Sequence, residues 1–401
     1  MVSRVARTPF AEWWWTVDRT LLVALVVLVV TGLVLNMAGS PPVAERLGLS
    51  TFHFVHRQIV FLAPASAVLL AVSFLSPRNV RRLALLVFVA ALALCWATLW
   101  FAPEVKGARR WLTLLGITVQ PSELLKPAFV VLAAWFMAET ARRPDMPAAT
   151  LAILLLPLAV APLLLQPDIG QTMLLLFVWC GLIFIAGLHL FWVLGLVGLA
   201  GVTAGAAYTL LPHVRGRIDR FLDPSTGDSF NADTAMESFV QGSWFGKGPG
   251  EGTVKRILPE AHTDYIFSVT GEEFGVVACL ALAWLFAFIV LRSLVLARRS
   301  QDPFARLAAA GLALLFGLQG AINMAVNLHL IPAKGMTLPF VSYGGSSLVS
   351  LALGMGFLLA LTRRRPLAEQ AGMERATLAA NGDESGWDGE PDGRLPAGAR
   401  G

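Results

Sequence analysis

Residues 20–38 read TLLVALVVLVVTGLVLNMA, a run of 19 positions without one ionisable side chain. The hydrocarbon core of a bilayer is about 30 Å thick, and a helix crosses it in about 20 apolar residues. Asp18 and Arg19 precede the run and Gly39 and Pro41 follow it, so charges and helix-breaking residues bound it. The stretch therefore predicts a transmembrane helix.

The composition extends this prediction to the whole chain. Of the 401 residues, 56% are hydrophobic and 14% are charged, against roughly 25% charged residues in an average globular protein. So few charges cannot cover a soluble protein of this size, whereas ten membrane spans would use about 200 residues. A soluble enzyme, a disordered chain and a secreted disulfide-rich scaffold are excluded. The predicted fold class is an all-α polytopic membrane protein.

The charged residues and cysteines exclude other classes of site. The net charge of +5 does not indicate nucleic-acid binding, because no dense block of Lys and Arg stands beside aromatic stacking residues. Cys95, Cys180 and Cys279 each lie inside an apolar run, so neither a disulfide nor a metal cluster is expected. Residues 10–15, FAEWWW, are typical of an interfacial anchor, and a cleavable signal peptide is not expected.

Apolar runs bounded by charge, glycine or proline predict ten spans. Their approximate limits are 20–38, 54–75, 83–101, 121–139, 148–165, 169–187, 190–211, 265–291, 304–330 and 343–361. The expected organisation is a cytoplasmic or interfacial N-terminus (1–19), a ten-helix membrane domain (20–362) and a disordered cytoplasmic tail (363–401). Residues 212–264 would form a large extracytoplasmic loop between the seventh and eighth helices.

The distribution of basic residues predicts the orientation. If the N-terminus is inside, the inner segments carry fifteen Lys and Arg residues, and the outer loops other than 212–264 carry six. Short cytoplasmic loops are enriched in Lys and Arg, whereas long loops are a poor guide. Both termini are therefore expected in the cytoplasm. The remaining outer cations indicate either lipid headgroup contacts or an anionic substrate at that face.

Several polar residues fall where the bilayer disfavours them. Glu123 and Lys126, three residues apart at the start of the fourth span, can pair on one helical face. The pair is either structural or part of a polar cavity open to the outer side. Asp168 is best explained as a helix N-cap. Gln319, Asn323 and Asn327, spaced four apart, form a stripe that interhelical hydrogen bonding explains.

The long outer segment carries the most distinctive chemistry. Residues 242–252, GSWFGKGPGEG, are too glycine-rich for a regular element, and with Lys247 they could wrap phosphate oxygens. Asp264 stands at the mouth of the eighth span, where partial burial could raise its pKa towards that of a general base. Glu260 would share a face with Asp264 if the stretch were helical. His262 is interpreted as a hydrogen-bonding residue rather than a metal ligand.

The last outer loop, residues 330–347, contains two prolines and three glycines, so it cannot form a regular helix. Irregular backbone near membrane depth is tolerated where it lines a cavity or is buried in protein. The loop therefore predicts part of a site.

These motifs, taken together and in this order, resemble the SEDS family (shape, elongation, division and sporulation) of bacterial cell-wall proteins. The resemblance covers about residues 12–362, and residues 332–339 resemble the division members more than the elongation members. The motifs that carry it are KGARRW (106–111), QPSE (120–123), QPDIG (166–170), the Gly-Lys-Gly loop (246–248), PEAHTD (259–264) and SYGGSS (342–347).

The resemblance implies a peptidoglycan glycosyltransferase that polymerises lipid II at the outer face of the cytoplasmic membrane, at the division septum. It implies a class B penicillin-binding protein of the FtsI type as partner, beside other membrane proteins of the division machinery. The family's essential aspartate falls on Asp264. The candidate substrate-binding residues are Lys106, Arg109, Arg110, Trp111, Gln120, Ser122, Glu123, Lys126, Lys247, Glu260, His262, Lys334 and Ser342.

Lys106, Arg109, Arg110, Lys247 and Lys334 are the candidates to stabilise the departing diphosphate, with or without a divalent cation such as Mg²⁺ or Mn²⁺.

Three alternatives remain open at this point. A lipid II flippase would also need spans, a cavity and cations, but it would want polar residues through the full depth of the membrane. A scaffold that recruits other division proteins leaves the irregular polar loops unexplained. An elongation polymerase would share the chemistry and differ in its place in the cell.

Overall fold

The computed structural model describes residues 8–364 apart from positions 106, 115, 141, 143–146, 333–334 and most of 188–229. The predicted seventh span at 190–211 and nearly all of the predicted tail lie outside the described residues. Residue contacts divide the chain into two units, residues 1–16 with 363–401, and residues 17–362.

The first unit contains a short aromatic helix, α1 (Pro9–Thr16). The ring of Phe10 packs against those of Trp13 and Trp14. Arg363 joins this helix, because its Nε donates to the hydroxyl of Thr16 at 2.9 Å. This unit therefore joins the end of α1 to residue 363.

The described part of residues 17–362 contains eleven α-helices and one two-stranded hairpin. The helices are α2 (Arg19–Gly39), α3 (Pro41–Arg46), α4 (His53–Ser73), α5 (Pro77–Phe101), α6 (Pro121–Thr140), α7 (Ala148–Leu165), α8 (Ile169–Ile185), α9 (Phe230–Gly242), α10 (Ile266–Arg298), α11 (Pro303–Asn327) and α12 (Gly345–Thr362). Strands β1 (Leu112–Leu114) and β2 (Ile117–Val119) form the antiparallel hairpin, and Val254–Arg256 forms one 3₁₀ turn.

Eight of these helices are long and apolar enough to cross a bilayer, and α8 is a shorter apolar helix of 17 residues. They correspond to nine of the ten predicted spans, so the prediction of an all-α polytopic membrane protein is confirmed. Local capping explains several of their starts, since Asp18 and Asp302 accept hydrogen bonds from main-chain N–H groups in the first turns of α2 and α11.

Helices α6, α11 and α12 form the centre of the described unit. In their most apolar windows, 83%, 61% and 78% of the residues are buried, against 22–44% for α2, α4, α5, α7 and α10. Helix α6 packs against α5, α7, α11 and α12, and α12 packs against α4. Polar residues such as Glu123 and Lys126 of α6 and Gln319 of α11 consequently lie inside protein, where each needs a partner.

One predicted span is broken. Gly275 adopts φ 78° and ψ 178° inside α10, which separates residues 266–274 from the longer segment 276–298. The expectation of a single span over 265–291 is therefore wrong at its start. We call residues 266–274 the half-helix. A positive φ is accessible to glycine at little cost, which explains why the break falls at this residue.

Candidate active site

Asp264 lies in a chain of hydrogen-bonded turns that precedes the half-helix. The N–H groups of Thr263 and Asp264 donate to the carbonyl oxygen of Glu260 at 3.0 and 3.1 Å. Glu260 has a positive φ of 55°, and α10 begins only at Ile266. The condition under which Glu260 and Asp264 would share one helical face is therefore not met, since Glu260 starts a turn.

Two buried asparagines hold the main chain of Asp264. Its carbonyl oxygen accepts hydrogen bonds from Nδ2 of Asn323 at 3.0 Å and from Nδ2 of Asn327 at 2.8 Å. Its side chain is half-buried, and a methyl group added to Gly335 would lie 3.7 Å from Oδ2. The carboxylate is thus placed between the start of the half-helix and the outer loop.

His262 is packed into an aromatic cluster two residues before Asp264. Its ring lies 4.4 Å from that of Phe54 and 5.4 Å from that of Tyr343, and its carbonyl oxygen accepts from the N–H of Tyr343. Burial lowers the pKa of His262 to about 4 and outweighs the opposite influence of Glu260. The imidazole is therefore neutral at pH 7 and, among the described residues, joins the aspartate segment to the outer loop.

Glu123 and Lys126 form a buried ion pair at the start of α6. Nζ of Lys126 lies 2.9 Å from Oε1 of Glu123 and donates to Oε1 of Gln319 at 3.0 Å. Glu123 also accepts from Gln171 at 2.8 Å and from the hydroxyl of Ser347 at 3.2 Å. Both charged residues are under 5% exposed. The pair ties α6 to α8, α11 and α12, so the structural interpretation of the pair has direct support.

The polar stripe of α11 connects this ion pair to Asp264. Gln319 contacts Lys126 and donates to the carbonyl oxygen of Thr337 at 3.2 Å. One turn later, Asn323 contacts Asp264 and donates to the carbonyl oxygen of Met336 at 2.7 Å. The prediction of interhelical hydrogen bonding is confirmed, and the stripe also braces the outer loop.

The glycine-rich loop packs against the break in α10. The N–H groups of Lys247 and Gly248 donate to the carbonyl oxygens of Glu272 and Glu273 at 3.0 and 3.1 Å. The sequence suggested that this loop could wrap phosphate oxygens. These two N–H groups instead donate to main-chain carbonyl oxygens of the protein. The side chain of Lys247 is exposed and contacts Gln241 and Thr253, which keeps it available as a surface cation.

A second buried ion pair stands beside this break and was not predicted. Lys255, 3% exposed, contacts Glu273, 1% exposed. Glu272 accepts from the N–H groups of Val254 and Lys255 at 2.7 and 2.9 Å. The sequence carried a signal for these residues, because two adjacent glutamates inside an apolar run are costly unless partnered.

The other candidate cations differ in their environment. Arg110 is committed to the turn before α8, where it donates to the carbonyl oxygens of Gln166 and Pro167 and lies 3.6 Å from Asp168. Arg109 is half exposed and lies 3.9 Å from Glu104. Lys106 and Lys334 fall outside the described residues.

The remaining candidate residues lie around the same helix ends. Nε2 of Gln120 donates to Asp168 at 3.4 Å, and Trp111 is exposed. The hydroxyl of Ser122 is buried and has no hydrogen-bond partner among the described residues. Oγ of Ser342 accepts from the N–H of Leu338 at 2.8 Å, so its visible role is to brace the outer loop.

Metal binding has no preformed site in the part of the chain that the structure describes. No group of three or more His, Cys, Asp or Glu side chains is arranged there to hold an ion. A divalent cation at this face would depend on substrate oxygens for most of its ligands.

A family model of cell cycle proteins, named for FtsW, RodA and SpoVE, matches residues 19–366. The chain belongs to the FtsW/RodA/SpoVE family. Its relatives include proteins named probable peptidoglycan glycosyltransferase FtsW, from Caulobacter vibrioides (45% identical, covering 93% of this chain and 96% of that one) and from Alkalilimnicola ehrlichii (36% identical, 86% and 90%). The resemblance read from the motifs is confirmed.

Two solved structures of FtsW/RodA/SpoVE-like chains share the fold. A chain of a peptidoglycan synthase complex that coordinates polymerization and crosslinking aligns with a TM-score of 0.72 at 29% identity, over 86% of this chain and 97% of its own length. The rod shape determining protein RodA of Thermus thermophilus aligns with a TM-score of 0.64 at 28% identity, over 88% and 99%. This family member is therefore a multi-pass membrane protein.

Proposed function

We propose that this chain is a peptidoglycan glycosyltransferase that polymerises lipid II at the outer face of the cytoplasmic membrane during septal wall synthesis. The names of its relatives support the activity and the division role. A division role is preferred to an elongation role because these FtsW relatives are 45% and 36% identical to the chain, whereas RodA of Thermus thermophilus is 28% identical. The chemistry is assigned to Asp264.

The observation that carries the proposal is the setting of the Asp264 carboxylate. The side chain is half-buried, and its main chain is fixed by two asparagines at the carbonyl oxygen and by one turn hydrogen bond from the N–H to Glu260. A general base must be held within hydrogen-bond reach of the proton that it removes. A carboxylate on a fixed backbone beside an irregular loop meets that requirement, whereas the buried Glu123 is already paired.

In the proposed reaction, Asp264 takes the proton of the 4-hydroxyl of the acceptor GlcNAc. The oxygen then bonds to the anomeric carbon of the donor MurNAc, with inversion. The bond from that carbon to the diphosphate oxygen breaks, and its electron pair leaves with undecaprenyl pyrophosphate. Negative charge grows on the diphosphate, so a cation beside the departing group lowers the barrier.

Lys334 is kept as a candidate cation by sequence alone, because it precedes Gly335, where an added methyl group would lie 3.7 Å from Oδ2 of Asp264. Lys247 and Arg109 are exposed, so they remain candidate cations for the diphosphate. Arg110 is the weakest candidate, since three main-chain and side-chain oxygens already occupy its guanidinium. A divalent cation bound to the diphosphate would supply the same electrostatic stabilisation.

Replacement of Asp264 by asparagine tests the proposal. General-base catalysis contributes roughly 10²- to 10⁴-fold, so Asp264→Asn should reduce glycan synthesis by that factor when lipid II is supplied in the outer leaflet of proteoliposomes. Glu251→Gln, an exposed acid on the same outer segment, is the matched control and should polymerise at the normal rate. Normal glycan synthesis by folded Asp264→Asn would reject the role of this carboxylate.

The same assay separates a polymerase from a flippase, because a flippase makes no glycan from lipid II that is already outside. The partner proposed for this chain is a class B penicillin-binding protein, in line with the synthase complex that contains a chain of this fold. Both termini are proposed to face the cytoplasm. Septal placement is checked by the position of a fluorescently tagged copy in dividing cells.

A further inference from the structure

The side-chain amides of Asn323 and Asn327 donate hydrogen bonds to main-chain carbonyl oxygens of the protein. We call these two residues the amide clamp. Both residues are at most 1% exposed, so neither side chain can reach a substrate directly. Nδ2 of Asn323 donates to Asp264 and to Met336, and Nδ2 of Asn327 donates to Asp264 and to Asn323. A carbonyl oxygen has two lone pairs, and these two amides use both of those of Asp264.

The orientation of the Asn327 amide is fixed by its surroundings. Its Oδ1 accepts from the main-chain N–H of Ser268 at 3.0 Å and from the hydroxyl of Ser268 at 2.8 Å. A reversed amide would direct oxygen at the carbonyl oxygens of Asp264 and Asn323, which is unfavourable. The Asn327 side chain therefore hydrogen-bonds residues on both sides of the start of the half-helix, at Asp264 and at Ser268.

Asn323 extends the clamp to the loop that faces the carboxylate. Its amide bonds both Asp264 and Met336, and Met336 follows Gly335, where an added methyl group would lie 3.7 Å from Oδ2 of Asp264. One amide consequently sets the spacing between the aspartate and the loop opposite it. Removing this amide frees both partners at once.

We propose that Asn323 and Asn327 are positioning residues for the proposed general base, acting through the main-chain carbonyl of Asp264 and not through the substrate. This inference rests on the proposed function of Asp264. Displacement of a reacting group by about 1 Å can cost about 10²-fold in rate. The clamp therefore contributes to the catalytic step while leaving lipid II binding largely unchanged.

Leucine and alanine variants at both positions test the clamp in proteoliposomes with lipid II. Asn323→Leu and Asn327→Leu roughly keep the volume of the side chain, and the alanine variants do not, but all four lose the donors. We expect kcat of the folded protein to fall about 10- to 100-fold in all four, with KM changed less than about threefold. A loss only in the alanine variants would assign the effect to packing and overturn the proposal.

Asn36→Leu is the matched control. Asn36 is also fully buried, and its amide donates to two main-chain carbonyls, of Gly32 and Val341, but it does not contact Asp264. It should match the other variants in lost thermal stability while kcat of the folded protein stays within about twofold of normal. An equal fall of kcat in Asn36→Leu would show that any lost amide at this face acts alike and would overturn the proposal.

A double substitution separates this proposal from the function on which it rests. In an Asp264→Asn background, Asn323→Leu should lower the residual rate by less than about twofold, because residues that act as a unit are not additive. A normal rate in Asp264→Asn itself would reject the proposed function. A strongly reduced rate in Asp264→Asn together with normal kcat in the Asn323 and Asn327 variants would reject only the clamp.

Discussion

The buried pair of Lys255 and Glu273 provides a quantitative test of the packing beside the break in α10. Lys255→Met removes the cation and leaves Glu273, 1% exposed, without its charge partner. The second oxygen of Glu273, Oε2, has no hydrogen-bond partner among the described residues. The variant therefore leaves a buried carboxylate without a charge partner, which strongly lowers the free energy of unfolding.

Breaking a buried ion pair by removing one partner costs about 3–5 kcal/mol. The lost hydrogen bond from Nζ to the carbonyl oxygen of Ala38, 3.1 Å in the structure, adds about 1 kcal/mol. The double variant Lys255→Met/Glu273→Gln carries no uncompensated charge, so it should recover most of the first cost. Equilibrium unfolding in mixed detergent micelles measures the free energy of unfolding of each variant.

The exposed pair of Arg142 and Asp302 is the control, because its side chains are 48% and 37% exposed and lie 3.3 Å apart. Arg142→Met should cost less than about 1 kcal/mol. A cost below about 1 kcal/mol for Lys255→Met, or a double variant as unstable as the sum of its two single variants, would refute the assignment of a buried and coupled pair.

Two further predictions concern the same face of the protein. Burial lowers the pKa of His262 from 6.5 to about 4, so the folded state is stabilised fully above pH 6.5 and loses about 3 kcal/mol as the pH falls from 6.5 towards 4; unfolding measured against pH should show this slope, and His262→Gln should remove it. Gly246→Ala would drive its methyl group into the main chain of Glu273, whereas Gly250→Ala, at a similar positive φ, meets nothing within 4 Å. Both pay about 1–2 kcal/mol for the backbone conformation, and unfolding should show an additional loss only in Gly246→Ala; equal losses would contradict the close approach.

Features set by local chemistry could be predicted from the sequence. The first span was expected at 20–38 and forms α2 over Arg19–Gly39, because a long apolar run has few other ways to satisfy its backbone in lipid. Asp168 was interpreted as an N-cap, and its side chain does accept from the N–H of Gln171. Both depend on residues within a turn or two of each other.

Features set by distant contacts could not be predicted. Arg110 was one of five candidate cations for the diphosphate, and it donates to a turn 56 and 57 positions away in sequence. The carbonyl partner of Asn323 and Asn327 was likewise hidden, since Asp264 lies 59 and 63 positions from them. A polar residue in an apolar run predicts that a hydrogen-bond partner exists, but the identity of a partner distant in sequence depends on the folded structure.

Main-chain hydrogen bonds run in both directions between residues 243–248 and the helix on either side of the break at Gly275. Lys247 and Gly248 donate to the half-helix, and Val276 donates back to the carbonyl oxygen of Ser243 at 3.0 Å. A hydrogen bond between two main-chain groups involves no side-chain torsion that could rotate to absorb a displacement. Residues 243–248 and the half-helix are therefore coupled main chain to main chain, so a displacement of this loop is passed to the helical segment that begins two residues after Asp264.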